Sequence, residues 1–197
     1  MEDFISSVIA SSITIFVIMD PFPSIMPFLT RTKNHTAGER NRCADKAIAI
    51  AGALAIFFLL VGPTLLGYLH ITLADFKVAG GIILLLLGIE TVLGISIGDH
   101  NKTNKKEDLN DIAVLIATPL LTGPGLVTSL IILAKDNGLL ITISALSLAL
   151  LCSWIILRNS IIIRKITGEQ IIQIMAKVIG LILLALGVAY IKTGLLG

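Results

Sequence analysis

The sequence predicts an all-α membrane protein with six transmembrane helices, arranged as two inverted-topology repeats of three, with helices 1 and 4 broken. The chain has 197 residues, of which 55% are apolar and 14% charged, and its mean hydropathy is +0.96. Soluble domains are about 25% charged, so this composition indicates a membrane protein. Matching proline motifs interrupt two of its long apolar stretches. We expect one transmembrane domain, residues 1–197, with repeat one at about 1–97 and repeat two at about 112–197.

Six apolar stretches are each long enough to cross a hydrocarbon core of about 30 Å as a helix. The first follows Glu2 and Asp3, whereas a cleavable signal peptide begins with positive charge, so we expect it to remain as a spanning helix. The stretches are Phe4–Leu29, Ala47–Leu69, Phe76–Ile97, Ile112–Ala134, Gly138–Leu157 and Met175–Leu196.

Lysine and arginine residues predict the orientation, because they are concentrated in cytoplasmic loops. Most of them follow the first, third and fifth apolar stretches, so we place these loops in the cytoplasm and both termini outside it. The opposite side has Lys77, Lys135 and Lys192. The residues assigned to the cytoplasm are Arg31, Lys33, Arg40, Arg42, Lys46, Lys102, Lys105, Lys106, Arg158, Arg164 and Lys165.

Several classes of function are disfavoured by what the sequence contains. A net charge of +2 gives no electrostatic argument for a nucleic-acid partner, so the expected surroundings are the lipid bilayer. The two cysteines and three histidines lie far apart, and we predict neither a disulfide, nor a metal site, nor a cofactor. We also expect no enzyme, since a Ser/His pair, an HExxH motif and an acidic pair within one span are missing, and the missing Walker motif gives no indication of ATP drive.

The first apolar stretch is interrupted by Asp20-Pro21-Phe22-Pro23-Ser24-Ile25-Met26-Pro27. Each proline removes a backbone donor and clashes with the preceding turn, so a continuous helix is disfavoured here. We predict a half-helix that ends at Met19 and a second one with Asp20 as its N-cap and Pro21 in its first turn.

The fourth stretch is interrupted in the same way by Thr118-Pro119-Leu120-Leu121-Thr122-Gly123-Pro124-Gly125. Thr118-Pro119 repeats the arrangement of the first break, in which an N-cap residue precedes a proline. In Gly123-Pro124-Gly125 the two glycines have no side chains to cover the backbone. Unpaired backbone at membrane depth is tolerated only where it is buried in protein or lines a watery cavity. We therefore expect both breaks to face the interior of the protein.

Two spacings indicate an internal duplication. Pro21 and Pro119 are 98 residues apart, and the pair Gly81 and Gly88 recurs 99 residues later as Gly180 and Gly187. Because each repeat has an odd number of spans, three, the second copy enters the membrane from the opposite side. Many secondary transporters are built in this way, and their paired interrupted helices mark the binding site.

Five segments carry a resemblance to a known family: Ile18-Met19-Asp20-Pro21 with Pro27, Glu39-Arg40-Asn41-Arg42, Ala79-Gly80-Gly81-Ile82, Pro119–Gly125 and Gly180-Leu181-Ile182-Leu183. Along its whole length the sequence resembles the MarC family of inner-membrane proteins. Similar members usually have Gly-Asn where this chain has Pro23-Ser24. The resemblance implies a multi-pass protein of the bacterial inner (cytoplasmic) membrane, and some members are described as transporters of small neutral amino acids.

The two breaks supply the candidate substrate-binding residues. An ionisable group at membrane depth indicates function, so Asp20 would bind a coupling cation, a proton or a substrate amino group, unless it only caps a helix. Half-helix N-termini favour a carboxylate, although hydroxyls there also cap breaks or bond back to their own helix. The candidates are Asp20, Pro21, Ser24, Thr118, Pro119, Thr122, Gly123 and Gly125.

Two further features of the third and sixth stretches have alternative interpretations. Glu90 is a second candidate for coupling to H+ or Na+, or it reaches the interface or pairs with a cytoplasmic lysine. Gly180, Gly187 and Gly194 recur every seven residues and define one small face, which favours close helix packing.

We expect a secondary transporter of small neutral amino acids, of the glycine or alanine type, that works by alternating access around the two breaks. The alternative is a non-transporting membrane protein in envelope homeostasis or assembly, since broken helices also serve structural purposes. The sequence does not indicate an oligomeric state.

Overall fold

The computed structural model describes residues 2–94 and 108–196. Over these ranges the chain is helical with short connections and contains no strand, which confirms the predicted all-α class. Lys102, Lys105, Lys106 and the end of the third apolar stretch lie outside the described residues. The elements are α1 Glu2–Met19, α2 Pro21–Arg31, α3 Ala37–Tyr68, α4 Leu73–Leu93, α5 Leu109–Leu115, a π-helical turn Ile116–Leu121, α6 Pro124–Asn137, α7 Leu139–Arg158 and α8 Ser160–Leu196.

Four of these helices, α3, α4, α7 and α8, are long and apolar enough to cross a membrane. Residues Phe4–Met19 and Pro21–Arg31 meet at an angle of 42° and make a fifth candidate if they form one span. Between 22% and 28% of the most apolar part of each of the four helices is buried, so most of that surface is available to lipid. The segment 109–137 consists of short helices, and none of them meets the length for a span on its own.

Capping boxes fix where α3 and α4 begin. The backbone N–H of Glu39 donates to Thr36 Oγ1 at 3.3 Å, and that of Thr36 donates to Glu39 Oε2 at 2.8 Å. Thr72 and Asp75 make the same reciprocal pair of hydrogen bonds. Because a capping box satisfies donors that a helix start leaves open, α3 begins at Ala37, well before its apolar part.

Helices α4 and α8 pack along each other through their glycines. A Cβ atom added to Gly81 would lie 2.6 Å from the carbonyl oxygen of Gly187, and one added to Gly88 would lie 2.8 Å from that of Gly180. A Cβ on Gly194 would meet the carbonyl oxygen of Ala74 at 2.7 Å. Partner numbers fall along α8 as they rise along α4, so the two helices run antiparallel. The predicted packing role of the glycine series is confirmed.

Several fully buried residues lie next to the two interruptions of the chain. Met19, Ile25, Phe28, Ile116 and Leu121 have no exposed surface. Helix α2 contacts the π-helical turn, α7 and α8, while α6 contacts α1, α3, α4 and α7. The core of the protein therefore lies where the broken segments meet the long helices.

Candidate functional site

The first break lies at Asp20, whose backbone has φ 40° and ψ 66° in the left-handed region. Helix α2 starts directly after it with Pro21 in the first turn, as predicted. Asp20 occupies the predicted N-cap position, but its side chain accepts no capping hydrogen bond within the described residues. An N-cap side chain bonds the second or third amide of its helix from an extended backbone, and here the third residue, Pro23, has no N–H.

Asp20 and Ser24 are both buried polar residues next to this break. Asp20 is 9% exposed and Ser24 is 1% exposed. In the part of the chain that the structure describes, Oδ1 of Asp20 and Oγ of Ser24 have no hydrogen-bond partner. Burying a polar atom without a hydrogen bond is costly, and the cost is far larger for a charged carboxylate. The hydrogen-bonding capacity of both oxygens is therefore unused within the described residues.

The second break has a different geometry from the one predicted. Thr118 is exposed and has φ −137° and ψ 118°, the extended conformation that a residue before proline prefers. The backbone N–H of Thr122 donates to the carbonyl of Ala117 at 2.8 Å, five residues back, so one wide turn closes across the kink at Thr118. The prediction that Thr118 and Pro119 begin a half-helix is wrong.

Helix α6 instead begins at Pro124, with Gly123 in the N-cap position at φ −79° and ψ 171°. Gly125 is buried against α4, since a Cβ there would lie 2.9 Å from Cδ2 of Leu84. Gly123 is buried as well. The absence of a side chain at Gly125 thus lets the first turn of α6 pack closely against α4.

The hydroxyl of Thr122 has a structural partner. Its Oγ1 donates to the carbonyl oxygen of Ala51 at 3.2 Å, which joins the second break to α3. Both residues are buried. Of the alternatives stated for the hydroxyls of the motifs, a bond to backbone is realised for Thr122, on a neighbouring helix rather than its own.

Two of the segments that carry candidate residues contact each other, whereas Glu90 lies apart from both breaks. Helix α2, which carries Pro21 and Ser24, contacts the π-helical turn that contains Thr118 and Pro119. Glu90 is half-buried in the last turn of α4, where its carbonyl oxygen accepts the N–H of Gly94 at 2.9 Å. Glu90 belongs to the end of a long span rather than to either break.

Two buried serines were not indicated by the sequence. Ser153 in α7 and Ser160 at the start of α8 have no exposed surface, and within the described ranges their Oγ atoms have no hydrogen-bond partner. Helix α2 contacts both α7 and α8. Serine is common in apolar helices, and these two have no proline or glycine motif beside them that would have marked them.

A chain that is helical throughout its described ranges, with several apolar helices and a broken segment with buried polar atoms, is a multi-pass integral membrane protein. It belongs to the MarC family of integral membrane proteins, because the sequence profile of that family matches residues 5–197.

Curated relatives cover almost the whole chain. A UPF0056 membrane protein of Methanocaldococcus jannaschii is 34% identical over 194 residues, which is 93% of this chain and 93% of the relative. A UPF0056 membrane protein of Aquifex aeolicus is 29% identical over 99% of this chain and 95% of its own length. The Escherichia coli UPF0056 membrane protein YhcE is 29% identical over 94% of this chain and 90% of its own length. No solved structure gives a significant match to this chain.

Proposed function

We propose that the protein is a secondary transporter of small neutral amino acids that works by alternating access. The observation that carries this proposal is the pair of buried oxygens, Asp20 Oδ1 and Ser24 Oγ, which have no hydrogen-bond partner in the described part of the chain. Ionisable groups at membrane depth are costly and mark substrate or ion pathways. A substrate ammonium group, a proton or Na+ would each complement the carboxylate.

The geometry of the second break supports a small substrate that carries a carboxylate. An amino acid carries a carboxylate besides its ammonium group, and the N-terminus of a helix attracts anions through its free N–H groups and its dipole. The N-terminus of α6 is formed by buried glycines at Gly123 and Gly125. Gly123 places no side chain over this end of α6, and Gly125 is packed against Leu84, so we propose a small substrate such as glycine or alanine.

We further propose six spans in two inverted repeats, with α1–α2 and the segment 109–137 as the equivalent broken spans. Reciprocal contacts support this proposal: α4 contacts α6 while α8 contacts α2, and α3 contacts α5 while α7 contacts α1. The antiparallel packing of α4 on α8 is what a two-fold axis in the membrane plane would produce. The 99-residue offset between their glycine pairs agrees with it.

The proposed location is the inner membrane, with both termini outside the cytoplasm. The cationic residues of the loops after the first and fifth spans support this orientation. Asp20 is the proposed coupling group for H+ or Na+, and Glu90 is the second candidate.

The test compares Asp20→Asn with Asp136→Asn in proteoliposomes supplied with labelled glycine, alanine, serine and larger amino acids. Asp136 is a matched control because it is an exposed carboxylate, 3.7 Å from Lys77 Nζ. Asn keeps the size of the side chain and removes its charge. We expect Asp20→Asn to lose concentrative uptake while exchange of substrate persists, and Asp136→Asn to behave as the wild type.

Two results would contradict the proposal. Concentrative uptake by Asp20→Asn at the wild-type rate would exclude Asp20 as the coupling group and direct the search to Glu90. A wild-type protein that neither takes up nor exchanges any amino acid of the panel would favour the alternative, a non-transporting protein in envelope homeostasis or assembly.

A further inference from the structure

A cavity of about 470 Å³ lies between the end of α2, the beginning of α3 and the first turns of α8. Four of its six lining residues are cationic, and the lining comes from two segments that are more than 100 residues apart in sequence. The lining residues are Leu29, Lys33, Arg40, Ile161, Arg164 and Lys165.

The positive charge of this cavity is only partly neutralised. Among the described residues, no carboxylate lies within ion-pair distance of Lys33, Arg40 or Lys165. Arg164 lies 3.6 Å from Glu169, but both side chains are about half exposed, so this pair is weak. Four cations thus face the cavity with one carboxylate beside them.

Arg40 is the most informative of these residues. Its Nε atom is buried and has no hydrogen-bond partner in the described ranges. It occupies the first turn of α3, whose start is fixed by the capping box of Thr36 and Glu39. This donor is held in place and removed from water without an acceptor, so its hydrogen-bonding capacity is unused within the described residues.

The fold accounts for how the two segments meet. Gly168 has φ 77° and ψ 162°, so α8 is kinked there, and the turns that carry Ile161, Arg164 and Lys165 form a separate short segment. Helix α2, which ends at Arg31 just before Lys33, contacts α8. The cations thereby converge on one cavity, whereas setting the topology requires only that they lie on the same side of the membrane.

We propose that this cavity binds a phosphate group, supplied by the headgroup of an anionic phospholipid or by a soluble phosphate compound. Guanidinium groups bind phosphate oxygens through paired, charge-assisted hydrogen bonds, and lysines add charge. Basic pockets between transmembrane helices bind phospholipid headgroups in this way. Leu29 and Ile161 line the same cavity and offer an apolar surface to the rest of the ligand. The proposal is independent of the transport function.

The test measures thermal unfolding of the full-length protein in a neutral detergent, with added phosphatidylglycerol, phosphatidylcholine or sodium phosphate. Arg40→Gln combined with Arg164→Gln removes two of the cavity's cations. Arg42→Gln is the matched control, because Arg42 is exposed, lies two residues from Arg40 and does not line the cavity. We expect the double variant to need about tenfold more phosphatidylglycerol for the same stabilisation, because it loses two charge-assisted hydrogen-bond donors to the phosphate.

The three additives distinguish the sources of the phosphate. Stabilisation of the wild type by phosphatidylglycerol and not by phosphate identifies a lipid, and equal stabilisation by phosphate alone identifies a soluble compound. Equal stabilisation by phosphatidylcholine, or an equal loss in Arg42→Gln, would show general lipid or charge effects and overturn the proposal.

A second pair of substitutions keeps the test valid if the arginine variant does not fold. Lys33→Gln with Lys165→Gln changes only exposed side chains, so we expect normal folding. Native mass spectrometry should then count fewer bound phosphatidylglycerol molecules than on the wild type. Full retention of the lipid by this variant would overturn the proposal.

Discussion

The Nε1–H of Trp154 in α7 donates a hydrogen bond of 2.7 Å to Oδ1 of Asp45 in α3. Arg158 forms an ion pair of 2.7 Å with the same oxygen, and its guanidinium lies 5.0 Å from the centroid of the Trp154 ring. One carboxylate thus joins two long helices through an indole and a guanidinium. Side chains that combine an apolar body with a polar end suit the membrane interface.

Asp45→Ala should loosen this end of the α3–α7 pair. The change leaves the indole N–H and Arg158 without their acceptor, which we expect to cost about 0.5–1.5 kcal/mol of stability, given the partial exposure of the ion pair. Trp154 is the only tryptophan, so intrinsic fluorescence reports on this site directly. We expect red-shifted emission and stronger quenching by acrylamide in Asp45→Ala. Asp136→Ala is the control, and identical spectra for both variants would contradict the prediction.

Gly81→Ala should destabilise the contact between α4 and α8. The added methyl group would lie 2.6 Å from the Gly187 carbonyl oxygen, and overpacking of this kind costs about 1–3 kcal/mol. Gly67→Ala is the matched control, because among the described residues a Cβ at this helical position meets nothing within 4 Å. Melting temperatures in detergent should fall for Gly81→Ala and stay level or rise for Gly67→Ala. Equal melting temperatures would contradict the prediction, because they would show that α4 and α8 accommodate the added methyl group without loss of stability.

Thr122→Val should reduce stability, because it removes the donor to the Ala51 carbonyl oxygen while keeping the shape of the side chain. We expect a loss of about 1 kcal/mol, the usual contribution of one buried hydrogen bond. Thr122→Ser should restore most of it. Thr118→Val tests the same change at an exposed threonine of the same motif and should have little effect on thermal unfolding. A Thr122→Val variant as stable as Thr118→Val would argue against the structural role.

Cysteine labelling tests the orientation of the chain in the membrane. Cys43 and Cys152 are replaced first, and single cysteines are then introduced as Asn34→Cys or Asp136→Cys, both at exposed positions. With both termini outside, an impermeant thiol reagent applied to intact cells should label Asp136→Cys and spare Asn34→Cys. Permeabilised cells should show labelling of both. The reverse pattern in intact cells would overturn the orientation.

The position of the first break was predictable because its cause is local. Proline restricts the residue before it and removes an amide donor wherever it stands, so the end of α1 at Met19 follows from Asp20-Pro21 alone. The role of the Asp20 side chain was not predictable in the same way. The side chain makes no capping bond because the backbone at Asp20 is left-handed and Pro23 has no N–H. The order of a cap residue and a proline in the sequence does not predict the backbone conformation at Asp20.

The second break and the cationic cavity depend on contacts between distant parts of the chain. The turn across the kink at Thr118 is held by the bond from Thr122 to Ala117 and by packing against α2 and α3, and the long helix of this segment begins only at Pro124. Arg40 and Arg164 are far apart in sequence, and the distribution of cationic loop residues does not reveal that these two share one cavity. Local propensity predicts where helices bend, while tertiary contacts decide which side chains meet.

The glycine contacts between α4 and α8 also restrict how these helices can move against each other. Advancing α8 by one turn, about 5.4 Å, would carry each glycine out of its place opposite backbone. The next side chains in line are bulky: Leu85 and Leu184 already lie 2.9 Å and 2.8 Å from the Cβ positions of Gly187 and Gly88. Sliding is therefore sterically blocked along this pair, and a swivel about the line of glycines is the displacement that preserves the contact.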